Sequence, residues 1–296
     1  MKQLSEWESK MKQVLIREGY GASFFENNID FYEFIRSMEK KKTWQKIERH
    51  RARSEWAGNK TYEETMTELL YGNKEITHQF LEGLKNLGHE AEINTGISMN
   101  TEGFAYDMGA VVSGEPECCV DMKTPESKKS LTILMDYTAA GRIDEKILVR
   151  RGLGVANLIY TLIEKGYIIN LNICSCSNLS YTGTLFSGDK VRKHLLSIGV
   201  PVDTLSLGTV GFYTSVEFFR ILDILAEAML LDADTHCGES QGTRNIEDYS
   251  LAEDVFLIPS CYLDIRGEKL RTQEQANEYA KTLFREYCEK HNLEEI

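Results

Sequence analysis

Asp136 and Thr138 are the residues with the clearest chemical potential, because they end an apolar run at positions 131–137. Such a run predicts a buried strand, and open α/β sheets bind ligands beyond the carboxyl ends of their strands. Carboxylate and hydroxyl oxygens are ligands that suit Mg²⁺. Thr209 and Thr214 each offer a further hydroxyl just ahead of a predicted helix. We therefore expect a degenerate metal site formed by Asp136, Thr138 and Thr209. It would bind Mg²⁺ or no cofactor at all, or it would bind a carboxylate of a partner instead.

A second set of residues predicts a different chemistry. Asp107 is followed by Asp121 and Lys123 in the spacing D-x13-D-x-K. This pattern resembles the PD-(D/E)xK nucleases, in which two carboxylates hold Mg²⁺ and a lysine steadies the attacked phosphate. The alternative function is therefore a Mg²⁺-dependent nuclease with Asp107, Asp121 and Lys123 as catalytic residues. Its pattern is short enough to arise by chance.

Histidines, cysteines and glycines add no further catalytic pattern. His194 is predicted on a helix over 190–197 and has no nucleophile or carboxylate at an interpretable spacing. The seven cysteines lack paired C-x-x-C spacings, which favours buried thiols in a reducing compartment. Gly152 and Gly154 lie inside a helical pattern, so they are not a dinucleotide-binding fingerprint.

The first 89 residues are predicted to form a helical N-terminal arm. Apolar residues recur there at helical spacing: Trp7, Met11, Val14 and Leu15 on one face, and Phe31, Phe34, Ile35 and Met38 on another. Thr61 and Glu64 have the spacing of a capping box ahead of a third helix. A fourth helix is predicted over 76–87.

Residues 90–296 are predicted to form a mainly parallel sheet flanked by helices, because short apolar runs alternate there with amphipathic stretches. The predicted strands are 118–122, 131–137, 167–174, 202–207 and 254–258, the first two joined as a hairpin. The predicted helices are 147–163, 190–197, 216–231 and 273–289.

Charge and hydropathy narrow the classes of partner. A formal net charge of −12 disfavours nucleic acid, since phosphate binding depends on Lys and Arg; the basic segment 40–53 is explained by a solvated helix face. The sequence has no signal peptide or apolar run of membrane-spanning length. We expect a cytoplasmic protein with a protein partner, compatible with homo-oligomers.

Several short sequence segments resemble those of an uncharacterised family of phage and prophage proteins. They are DFYEFI at 30–35, WAGNKTYEE at 56–64, LYG at 70–72, GEPEC at 114–118, and the segment 151–167. The end of the 131–137 run also resembles the DxSxS cation loop of von Willebrand A domains, with Ala140 where the second hydroxyl belongs. Residues 202–220 are similar to the von Willebrand A-like domain of cobalt-chelatase subunits. These resemblances imply a phage protein with a von Willebrand A-like, Rossmann-type domain over 90–296, but no established activity.

The function expected from the sequence is that of a non-enzymatic, phage-encoded adaptor. It would bind a host or phage protein and carry a degenerate cation-binding loop. The nuclease is the first alternative, and a structural component of the virion is the second.

Overall fold

A computed structural model describes residues 11–39, 60–86, 97–100, 105–106, 119–122, 129–139, 143–185, 187–200, 207–215, 218–231, 255–260 and 270–293. Within these ranges, every helix is too short or too polar to cross a membrane.

Nine strands lie in these ranges: β1 (Met11–Arg17), β2 (Gly19–Phe25), β3 (Ile97–Asn100), β4 (Ala105–Tyr106), β5 (Cys119–Met122), β6 (Ser130–Asp136), β7 (Ile168–Thr184), β8 (Lys190–Val200) and β9 (Val255–Ile258). The helices are α1 (Asn28–Met38), α2 (Tyr62–Tyr71), α3 (Lys74–Asn86), α4 (Glu145–Glu164), α5 (Leu207–Tyr213), a π-helical turn (Phe218–Asp223) that continues into α6 (Ile224–Leu231), and α7 (Gln273–His291).

The main sheet has six strands in the order β1-β2-β8-β7-β6-β9. Strand β6 pairs in parallel with both β7 and β9, and β2 pairs in parallel with β8. The β1–β2 and β7–β8 pairs are antiparallel. A separate sheet of three strands, β3-β5-β4, is antiparallel throughout. The main sheet is therefore mixed.

Helices α1, α2 and α7 each begin directly after a residue whose side chain caps the helix N-terminus. Asn27 caps α1 through its side chain, which accepts hydrogen bonds from the backbone N–H groups of Ile29 and Asp30. Thr61 and Glu64 form a complete capping box at the start of α2, as their spacing predicts. Thr272 does the same for α7 with Gln275.

The main hydrophobic core lies on one face of the main sheet. Because side chains alternate along a strand, Ile133 and Met135 of β6 face this core, whereas Leu134 faces the opposite side with Cys174 and Leu195. Helices α1 to α4 and α7 pack their apolar residues into the same core. The predicted buried face of α1 is confirmed: Phe31, Phe34, Ile35 and Met38 are all buried.

The prediction of a helical N-terminal arm is wrong, because residues 11–25 form β1 and β2. Met11, Val14 and Leu15 have helical spacing, but Met11 pairs with Phe25 across an antiparallel hairpin. Gly19, with a φ of +76°, supplies the tight turn. The hairpin then joins the main sheet by pairing β2 with β8, and tertiary pairing overrides the local spacing.

The prediction of a mainly parallel sheet is also wrong, chiefly because 190–197 is not a helix. These residues belong to β8, which lies between β2 and β7 and runs antiparallel to β7. Gly188, with a φ of +91°, lies in the turn between β7 and β8. The prediction of a hairpin between 118–122 and 131–137 is wrong as well, because β5 belongs to the three-stranded sheet and β6 to the main sheet.

Several other predicted elements are confirmed with small changes of boundary. They are the helices over 76–87, 147–163 and 273–289, and the strands over 131–137 and 254–258. The strand predicted at 202–207 and the basic segment 40–53 lie outside the described residues, except for Leu207, which begins α5.

Candidate functional site at the carboxyl end of β6

Asp136 is the last residue of β6, the strand that lies between β7 and β9. The chain leaves β6 through α4 and returns beside it as β7, whereas β9 occupies the other side. The direction of the strand order therefore reverses at β6, which is the position where open α/β sheets form a crevice for ligands. The sequence placed Asp136 at this strand end correctly.

The Asp136 side chain is fully buried, with no exposed surface. Its Oδ1 accepts hydrogen bonds from the backbone N–H of Thr138 at 2.9 Å and from the Thr138 hydroxyl at 2.6 Å. Its Oδ2 is buried without a hydrogen-bond partner. Asp136 thus fixes the local turn that follows β6, and an incoming molecule reaches its second oxygen only if the surrounding side chains move.

Arg151 of α4 joins two strand ends at this site. Its Nη2 donates a hydrogen bond to the backbone carbonyl of Asp136 at 2.6 Å and another to the carbonyl of Pro259, directly after β9. The side chain is only 3% exposed, and its Nε has no hydrogen-bond partner. No ion pair joins the Arg151 guanidinium to the Asp136 carboxylate, although both groups belong to the described residues.

Thr214, one of the two threonines considered from the sequence, packs against α4 next to Arg151. A Cβ on Gly152 would lie 2.6 Å from the Thr214 hydroxyl oxygen, so only glycine permits this approach. The Thr214 hydroxyl donates to the carbonyl of Gly211 at 2.8 Å. The structure therefore places Thr214 against Gly152 of α4, which follows Arg151 in the chain.

Burial dominates the electrostatics of the site. Desolvation raises the pKa of Asp136 to about 6, while the two hydrogen bonds from Thr138, the charge of Arg151 and the thiol of Cys176 oppose this rise. Ionising the Asp136 carboxyl in the folded protein therefore costs free energy. Burial also raises the pKa of Tyr213, whose hydroxyl has no hydrogen-bond partner.

The remaining predicted site residues are less fully described. Thr209 lies within α5. Asp121 lies in β5, where its backbone is opposite Ser98 of β3; Asp107 and Lys123 lie outside the described residues. The nuclease therefore stays a prediction. Across the described ranges, no group of three His, Cys, Asp or Glu side chains is arranged to hold a metal ion.

Sequence reasoning missed two buried polar arrangements. Arg151 occupies an apolar stripe of α4 with Leu148, Val155, Leu158 and Leu162, all of which are buried, and that periodicity signals its burial. His194 is the other case: its Nε2 lies 3.0 Å from the Ser23 hydroxyl, which also accepts a hydrogen bond from Gln13. Ser23 and His194 are 171 residues apart and fully buried, and no sequence spacing links them.

Neither a curated protein nor a solved structure matches this chain. The family match that does exist covers nearly the whole sequence and carries no assignment to phage proteins or to von Willebrand A domains. Residues 7–295 match the family described as a domain of unknown function, DUF7192, and the chain belongs to that family.

Proposed function

We propose that this protein binds a protein partner and catalyses no reaction, in the manner of a phage-encoded adaptor acting in the host cytoplasm. The proposal rests on two exposed apolar side chains at helix ends that a hydrogen bond links, namely the start of α1 and the end of α2. Ile29 is 55% exposed and Tyr71 is 78% exposed. Large apolar side chains grouped on a surface favour an interaction site, whereas single ones are common everywhere.

The two side chains belong to one junction between helices. Asn28 donates a hydrogen bond from Nδ2 to the carbonyl of Leu69 at 3.2 Å, which links the start of α1 to the end of α2. Ile29 follows Asn28, and Tyr71 ends α2 two residues beyond Leu69. Phe31 of α1 and Leu69 of α2 are buried in the hydrophobic core near this junction. The two exposed side chains therefore lie on helices that are packed into the core. Tyrosine is also enriched at protein interfaces.

Charges around the pair indicate the chemistry of the partner. Glu26 precedes the start of α1, Glu33 lies one helical turn after Ile29, and Glu75 follows Tyr71 at the start of α3. Lys74 is the positive charge nearest to Tyr71 in sequence. We therefore propose a partner surface with an aliphatic or aromatic centre and a basic rim, since complementary charges speed association and select partners.

The experiment compares two matched double variants of the tagged full chain. Ile29→Ala with Tyr71→Ala removes the proposed site, and Ile163→Ala with Ile168→Ala removes two other exposed apolar side chains, 41% and 49% exposed. We expect a protein captured by the wild type and by the control to be lost with the first variant. The captured protein is then purified and titrated directly, and its affinity should fall as salt is added.

Circular dichroism melts establish that both variants keep their fold. Equal capture by the two variants, or a purified candidate that binds both equally, contradicts the proposed surface. An affinity that does not change with salt contradicts the basic rim.

A further inference from the structure

We propose that Arg151 takes the place of a metal ion at the carboxyl end of β6. A metal ion at such a strand end would neutralise the carboxylate and hold neighbouring loops together. The Arg151 guanidinium is buried beside Asp136, and its Nη2 hydrogen-bonds the ends of β6 and β9. Its charge favours the ionised form of the Asp136 carboxyl without a direct ion pair. The chain thus places a positive charge of its own near the carboxylate.

The oxygen atoms at the site do not fit a divalent ion. Mg²⁺ requires six oxygens in near-octahedral geometry. Asp136 Oδ1 is already bonded by Thr138, and the Asp136 carbonyl accepts from Arg151. Ala140 has no side-chain oxygen to offer. One carboxylate oxygen, Oδ2, is left, and a divalent ion there would be repelled by the guanidinium.

The groups that face the Asp136 carboxylate come from three elements. They are Thr138 from the loop after β6, Arg151 from α4 and the Cys176 thiol from β7. Arg151 is the positive charge among them. A guanidinium also has fixed, directed donors, which suits it to bridge two carbonyl oxygens. The arrangement gives a role to the buried charged side chain on the apolar stripe of α4.

The first test measures the thermal midpoint of the full chain with EDTA and with millimolar Mg²⁺, Mn²⁺ or Ca²⁺. We expect the same midpoint in every case, because Arg151 already supplies the positive charge. A midpoint that rises with any of these ions and falls with EDTA overturns the proposal. This measurement uses the wild type and does not depend on a variant that folds.

The second test is a double-mutant cycle between Arg151→Met and Asp136→Asn. Methionine removes the charge at similar length, so the buried carboxylate loses its counter-charge and the midpoint should fall by several degrees. Asp136→Asn should then raise the midpoint more in the Arg151→Met background than in the wild type. Arg151→Lys retains the charge and should show a smaller loss. A cycle without coupling shows that Arg151 acts only as a packing residue and overturns the proposal.

Discussion

Replacing Asp136 with asparagine should make the protein's stability less dependent on pH. Burial raises the pKa of the Asp136 carboxyl from an ordinary 3.8 to about 6 in the folded protein. Since the folded pKa is raised, the stabilising contribution is complete below about pH 4 and is lost as the pH rises through 6. The difference between pKa values of 3.8 and about 6 corresponds to about 3 kcal/mol. Asparagine cannot ionise, and its Oδ1 can accept both bonds from Thr138.

The quantity to measure is the difference in free energy of unfolding between Asp136→Asn and the wild type, from urea titrations at several pH values. This difference should increase in favour of the variant by about 2 kcal/mol between pH 4 and pH 7.5. Asp144→Asn is the control, because Asp144 is an exposed N-cap whose capping bond asparagine reproduces. A difference for Asp136→Asn that stays constant across this range would refute the reasoning.

Three further predictions concern stability and can be checked by urea titration at neutral pH. Thr61→Ala should cost about 1 kcal/mol through loss of the capping box, whereas Thr67→Ala within the same helix should change stability by less than about 0.5 kcal/mol. Gly154→Ala should destabilise more than Gly83→Ala, because the new Cβ would meet a backbone carbonyl at 2.6 Å in the first case and a movable leucine side chain in the second. Phe31→Ala should cost about 3–5 kcal/mol, since the ring is fully buried; a loss below about 1 kcal/mol would contradict the packing of α1.

Local signals in the sequence were sufficient where an element depends on its own residues. The capping box of Thr61 and Glu64, the apolar face of α1 and the short apolar run of β9 were all predictable. Each of these features acts within a few residues along the chain. Spacing rules describe that range well.

Elements that depend on distant partners were not predictable in the same way. Val14 and Leu15 satisfy a helical spacing as well as a strand, and only the pairing of β2 with β8 decides between them. Residues 190–197 contain Val191, Leu195 and Leu196, which suit either structure. Their position between two strands makes them β8. The mixed direction of the sheet follows from these two elements.

Of the candidate site, the sequence predicted Asp136 and Thr138 but not the contacts of Arg151. Asp136 and Thr138 stand two residues apart at a recognisable strand end, so their local hydrogen bonds follow from the sequence. Arg151 donates to the backbone carbonyls of Asp136 and Pro259, and because every residue has a carbonyl, no residue type marks the contact. The burial of Arg151 was indicated by the stripe of α4, but the atoms it binds were not.

The parallel pairing of β2 with β8 has a consequence for how the chain is made. Ser23 and His194 meet across this pair although 171 residues separate them. At about 5–20 residues per second, a ribosome needs roughly 9 to 35 s to synthesise that interval. A β1–β2 hairpin that forms in this interval has an open edge at β2, which can pair with another nascent chain. We therefore expect chaperone demand to be highest before β8 emerges, and a fragment that stops short of β8 to aggregate.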